Sequence, residues 1–255
     1  MNANAAQGKL PLGYFFFVFA LSVPIWLIGG SQLPLPVNLP ISALTAFIPL
    51  IAASILSYRQ SGVTGVKELL TKAVDYQKIQ NKIWYIPILL LMPFIYFLSY
   101  AIMRLTGLPL PEDQAIPLLM APVFFLLFFP AALGEEVGWM GYAIDPMQRR
   151  WGALTAGIIL GVMWALWHII PDVQNQRTAN WILWHRLSSV AFRVLIVWVY
   201  NNTGESVFAA ILVHTMDTLS WSLFPNYGSH YNPFVTGVIT WSTVAIITFG
   251  GGQKR

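Results

Sequence analysis

Cysteine is missing altogether from the 255 residues. Disulfides, thiolate chemistry, iron–sulfur clusters and cysteine-rich zinc sites are therefore excluded, and any metal would need histidine and carboxylate ligands. Charge is scarce as well, at 9% of residues, while 56% are hydrophobic. With a mean hydropathy of +0.63, that balance excludes an ordinary soluble domain and defines a polytopic membrane protein. The net charge of +4 is small and sits mostly in loops on one side, so it speaks to orientation and not to nucleic-acid binding. There is no internal repeat and no pair of matching interrupted helices, which counts against a transporter or proton channel.

What is present is a series of long apolar runs. They predict an all-α transmembrane bundle of about eight spans, near 10–28, 40–57, 83–103, 116–144, 152–170, 181–200, 204–222 and 234–250. The first run has one upstream lysine and no small-residue cleavage site, so it reads as a retained helix and not as a signal peptide. A Pro- and Gly-rich stretch from Gly29 to Pro40 turns the chain after it. The fourth run exceeds the roughly 20 residues a span needs, so it tilts, protrudes or kinks near Pro130. The whole chain, 1–255, reads as one transmembrane domain.

Residues 59–82 carry Arg59, Lys67, Lys72, Lys78 and Lys82, with Val66, Leu69, Leu70, Ala73 and Val74 at helical spacing. Residues 62–76 thus read as an amphipathic helix on the cytoplasmic surface; a solvated basic loop is the plainer alternative. With the N-terminus inside, these five fall on one side together with Lys9, Arg149, Arg150, Lys254 and Arg255, against Arg104 and Arg177 on the other. Both termini are accordingly expected in the cytoplasm, a layout that suits a bacterial plasma membrane.

The polar residues inside the spans carry the functional signal. Glu135 and Glu136 are adjacent in Gly-Glu-Glu-Val-Gly-Trp-Met-Gly-Tyr, residues 134–142. Carboxylates at that depth cost several kcal/mol, and they are functional candidates by default. Neighbouring helical positions point about 100° apart, so one Glu can face a reaction centre while the other anchors the helix. Trp164 and His168 share a face of span five; His214, Asp217 and Thr218 share one of span seven. Glu135 and His168 lie at nearly equal chain distances from the turn at Trp151, which sets them at matching heights. A carboxylate and a histidine around one water can remove and relay its proton, while a second histidine stabilises an oxyanion. The structural alternative is a polar network that only holds helices together. Arg193 is the basic residue deepest in a span, so it is expected to pair with Glu136 or Asp217. Arg186 is expected to snorkel to the interface, and His185, beside Trp181 and Trp184, to belong to an interfacial belt.

In order and spacing, these residues resemble the CPBP family of intramembrane glutamic endopeptidases, the Abi or CAAX amino-terminal protease-like proteins that include the Rce1-type peptidases. The family pattern, Glu-Glu-x-x-x-Arg, aromatic-x-x-x-His and His-x-x-x-Asn, stands here as Glu135-Glu136-x-x-x-Met140, Trp164-x-x-x-His168 and His214-x-x-x-Thr218. The resemblance covers roughly 40–222, with a catalytic core near 116–222. It implies that Glu135 activates water with His168, that Glu136 supports the geometry, and that His214 with residue 218 forms the oxyanion hole. It implies a protein or peptide substrate at the membrane and no metal or cofactor. Met140 and Thr218 depart from the pattern; Arg193 and Asp217 are the residues placed to compensate. The alternatives are a weak or inactive member kept for binding, such as an immunity protein, and a zinc protease, although His-Glu-x-x-His and Glu-x-x-His are absent.

Overall fold

Connections of a few residues join most of the apolar runs, so the chain folds back on itself as a helical bundle. A computed structural model describes residues 11–29, 41–112 and 118–250. It contains eight main helices: α1 (Leu12–Ile28), α2 (Ile48–Thr71), α3 (Tyr85–Leu105), α4 (Ala121–Trp151), α5 (Ala153–Gln174), α6 (Ala179–Asn202), α7 (Val207–Leu223) and α8 (Pro233–Phe249). No strand occurs among the described residues. Five of the eight, α2 to α6, are long and apolar enough to cross a membrane; α1, α7 and α8 are shorter apolar helices. Large apolar side chains such as Leu27, Phe97, Leu126 and Ile246 lie exposed on the outside, as a lipid solvent requires. The chain is a polytopic helical membrane bundle. Residues 30–40, expected as a turn, and Lys9, Lys254 and Arg255 lie outside the described residues.

Local chemistry fixes the helix ends. The Thr178 hydroxyl accepts from Trp181 N, Ser206 from Ala209 N, and Asn232 from Phe234 N and Val235 N, each satisfying donors that the first helical turn leaves open. Pro233, at the first position of α8, costs no hydrogen bond there. Gly62, at φ 62°, breaks α2, so its basic second half leaves the direction of the first.

Two groups of helices face each other. α4 packs between α2 and α7, with α3 beyond α7; α5 packs on α6, and α6 on α8. Glycines set how closely these pairs approach. A methyl group at Gly161 would come within 3.0 Å of the Val190 Cα on α6, and one at Gly138 within 2.5 Å of the Pro49 backbone on α2. Small residues four apart, Gly134 with Gly138 and Gly157 with Gly161, thus serve as contact stripes. α4 and α5 pack closely near their turn at Gly152 and leave a space between them further along.

α4 continues as a helix through Pro130 to an irregularity further along. That irregularity is a π-helical turn over Trp139–Ala143, directly after the glutamates. At about 100° per residue, an unbroken helix would point Glu136 and Asp145 in nearly opposite directions. The residue inserted by the π turn rotates the far end by roughly 100°. Both acids then reach α6: Glu136 binds Arg193, and Asp145 accepts from the Tyr200 hydroxyl at 2.9 Å.

Candidate functional site

The glutamates divide as adjacent helical positions must. Glu135 lines a cavity of about 370 Å³, and Glu136, fully buried, is absent from its wall. The same cavity is lined by Trp164, His168, His214, Asp217 and Thr218, so residues from α4, α5 and α7 converge on one space.

Glu136 is held at both oxygens. Arg193 Nη1 donates to Oε2 at 2.6 Å, and the His214 Nδ1 lies 2.7 Å from Oε1. Of the two partners open to Arg193 in the sequence, the fold uses Glu136. Both side chains of this ion pair have no exposure, so each supplies the counter-charge that makes the other's burial tolerable. Arg193 also lies 4.6 Å from the centre of the Trp164 ring, within cation–π range. The Trp164 indole N–H in turn donates to Glu135 Oε2 at 2.6 Å. A continuous relay therefore runs from Arg193 through Glu136 to His214 and through Trp164 to Glu135.

The His168 ring packs edge-on against Trp164, centres 4.7 Å apart, and its Nδ1 lies 2.9 Å from the Trp164 carbonyl oxygen. A carbonyl only accepts, so Nδ1 carries a proton, and in the neutral ring Nε2 keeps its lone pair. Thr218 bonds back within its own helix, donating to the His214 carbonyl at 3.3 Å. Asp217 faces the phenols of Tyr96 and Tyr231, whose rings stack 5.7 Å apart. In the loop beyond α7, burial first and Asp217 second push the Tyr231 phenol up from its ordinary value. Met140 lies fully buried in the π turn and takes no part in the cavity wall.

Two expectations are corrected. Arg186 does not snorkel to the interface: its Nε lies 2.8 Å from Asp172 Oδ2, both side chains are nearly buried, and both line the cavity. His185 is not a belt residue facing headgroups; it lines the cavity, with Nδ1 3.3 Å from the Tyr231 hydroxyl. The signal was present in the sequence. Opposite charges flank the short turn between α5 and α6, and a hairpin brings such flanks together. The cavity reaches that turn, where Asn175 and Arg177 line its end.

Glu135, Glu136 and His214 also offer ligand atoms within 4.8 Å of one another, close enough for a metal. The two oxygens of Glu136 are already engaged, one by a guanidinium. A dication placed there would meet a fixed positive charge, so the donor set fits a metal poorly.

Fold and site together define a polytopic helical membrane protein with an acid–imidazole–guanidinium cluster opening on an internal cavity. A family model described as type II CAAX prenyl endopeptidase Rce1-like matches residues 117–219, the stretch that supplies Glu135, Glu136, His168, Arg193 and His214. A protein named CAAX prenyl protease 2 from Methanococcus maripaludis is 26% identical over 235 residues, covering 84% of each chain. These findings support the Rce1-related CPBP family for this chain.

Proposed function

We propose that the chain is an intramembrane peptide hydrolase that uses no metal and cuts a protein or peptide held at the membrane. The observation that carries this reading is the convergence of Glu135, His168 and His214 on one cavity. Glu135 Oε2 is occupied by the Trp164 N–H, which leaves Oε1 to take a proton from water. The hydroxide so formed attacks the scissile carbonyl carbon. The oxyanion faces His214, which, as an imidazolium held at Nδ1 by Glu136, presents Nε2–H. The Thr218 hydroxyl joins it by rotating away from the His214 carbonyl. Glu135, with His168 Nε2 as relay, returns the proton to the amide nitrogen, the C–N bond breaks, and a carboxylate and an amine leave. Glu136 and Arg193 are positioning residues. Prenylated substrates are named for the relatives only; for this chain the supported class is the membrane-held peptide.

The test is cleavage of a membrane-embedded peptide reporter by the purified protein. Glu135→Gln and His168→Ala are each expected to lower kcat by about 100-fold or more, with helical content and thermal unfolding unchanged. Folded variants that keep full activity would overturn the assignment. Cleavage is expected to survive exhaustive chelation; loss on chelation with recovery on adding zinc would favour a metal enzyme built on the Glu135, Glu136 and His214 cluster. Ion flux depending on Glu135, with no cleavage, would favour a transporter.

A further inference from the structure

The catalytic cavity is not the largest space in the bundle. A second one, of about 690 Å³, lies at the opposite end, walled by the start of α1, the basic second half of α2 and the end of α4. Its charged lining carries both signs, Glu68 and Asp145 against Lys72 and Arg149. The Lys72 Nζ donates to the Gly141 carbonyl in the π turn at 2.5 Å and has further N–H protons to offer. Asp145 receives the Tyr200 hydroxyl on Oδ1, which leaves Oδ2. The Tyr14 side chain forms part of the wall as an apolar surface, with its hydroxyl turned into the core against Gly138 and Pro49. The surrounding segment is basic and apolar on alternate faces, the composition of a chain lying at headgroup level.

We propose that this inner cavity binds a lipid headgroup bearing both a phosphate and a primary ammonium. The phosphate sits against Lys72 and Arg149, and the ammonium against Glu68 and Asp145. Opposite charges in one cavity match a zwitterion better than a purely anionic lipid. A primary ammonium donates three hydrogen bonds to such carboxylates, and a quaternary one donates none.

Native mass spectrometry of the full-length protein, delipidated in detergent and then offered phosphatidylethanolamine, phosphatidylcholine or phosphatidylglycerol, tests this. Retention of the ethanolamine lipid is expected to exceed that of the choline lipid by tenfold or more. It is expected to fall to the choline level in Glu68→Gln, a substitution at an exposed helical position that the fold tolerates. Equal retention of the two zwitterions, preference for the glycerol lipid, or an unchanged Glu68→Gln would overturn the proposal. Binding of free phosphoethanolamine as tight as that of the lipid would overturn the lipid as its source. The readout is binding alone, so it stands or falls separately from peptide cleavage.

Discussion

Arg193 and Glu136 are both fully buried, and each is the other's ionic partner at 2.6 Å. Removing one member strands a charge in a low-dielectric interior, which costs about 3–5 kcal/mol. Arg193→Met is therefore expected to lower the unfolding midpoint in detergent strongly. The double variant Arg193→Met with Glu136→Gln is expected to recover part of that loss, because it strands neither charge; thermal unfolding of both variants measures it. The pairing also accounts for Met140. It occupies the arginine position of the motif, but it is buried in the π turn, and the cation for Glu136 comes from α6 instead. Met140→Arg is accordingly expected to lower both stability and cleavage, since a second guanidinium would enter a fully packed site. A rise in activity would show that Arg193 does not fill the role. At this scale the sequence was informative: Glu135, His168 and His214 share a cavity as their depths implied. It could not say which acid Arg193 takes, because that depends on the rotation of α4.

The segment between α2 and α3 ties the helices of the site together. Lys72 binds the Gly141 carbonyl of α4. Asp75 accepts from the Ser206 hydroxyl at 2.8 Å and from Val207 N and Phe208 N at the start of α7. A carboxylate there satisfies open N–H groups and complements the helix dipole. Lys78 holds the Glu205 carbonyl just before it. The π turn of the helix carrying Glu135 and the start of the helix carrying His214 are thus fixed by one stretch of chain. Asp75→Ala is expected to destabilise the fold by about 1–2 kcal/mol, read as a lowered unfolding midpoint, and Asp75→Asn by less. The basic, amphipathic character of the segment was legible at residues 62–76. Its function as a clamp was not, because capping at a distance leaves no periodicity in the sequence. Nor was the π turn, since Trp139 to Ala143 contains no proline and nothing to forbid an ordinary helix.

Across the whole molecule, the cavity lined by Glu135 and His168 reaches the α5–α6 turn at Asn175 and Arg177, while the second cavity lies among the basic ends of α2 and α4. The basic residues of 59–82 and the pair Arg149 and Arg150 favour the cytoplasm for that second end. The orientation we propose therefore opens the cavity of Glu135 and His168 away from the cytoplasm. Because the chain has no cysteine, single substitutions report the side directly. Asn175→Cys is expected to react with an impermeant maleimide on intact cells, and Lys67→Cys only after permeabilisation; the reverse pattern would invert the topology.

Composition and hydropathy alone determined that the chain lives in lipid as about eight helices, because apolar solvent forces every backbone group into helical bonds and leaves few alternatives. Motif order then named the acids and imidazoles. Only the tertiary structure decided which glutamate faces the cavity, that Arg193 lies behind Glu136, and that His185 and Arg186 join the cavity wall. Those outcomes depend on helix rotation and on close glycine contacts such as Gly161 against Val190. A single inserted residue in the π turn changes such a rotation by roughly 100°, and hydropathy does not register it.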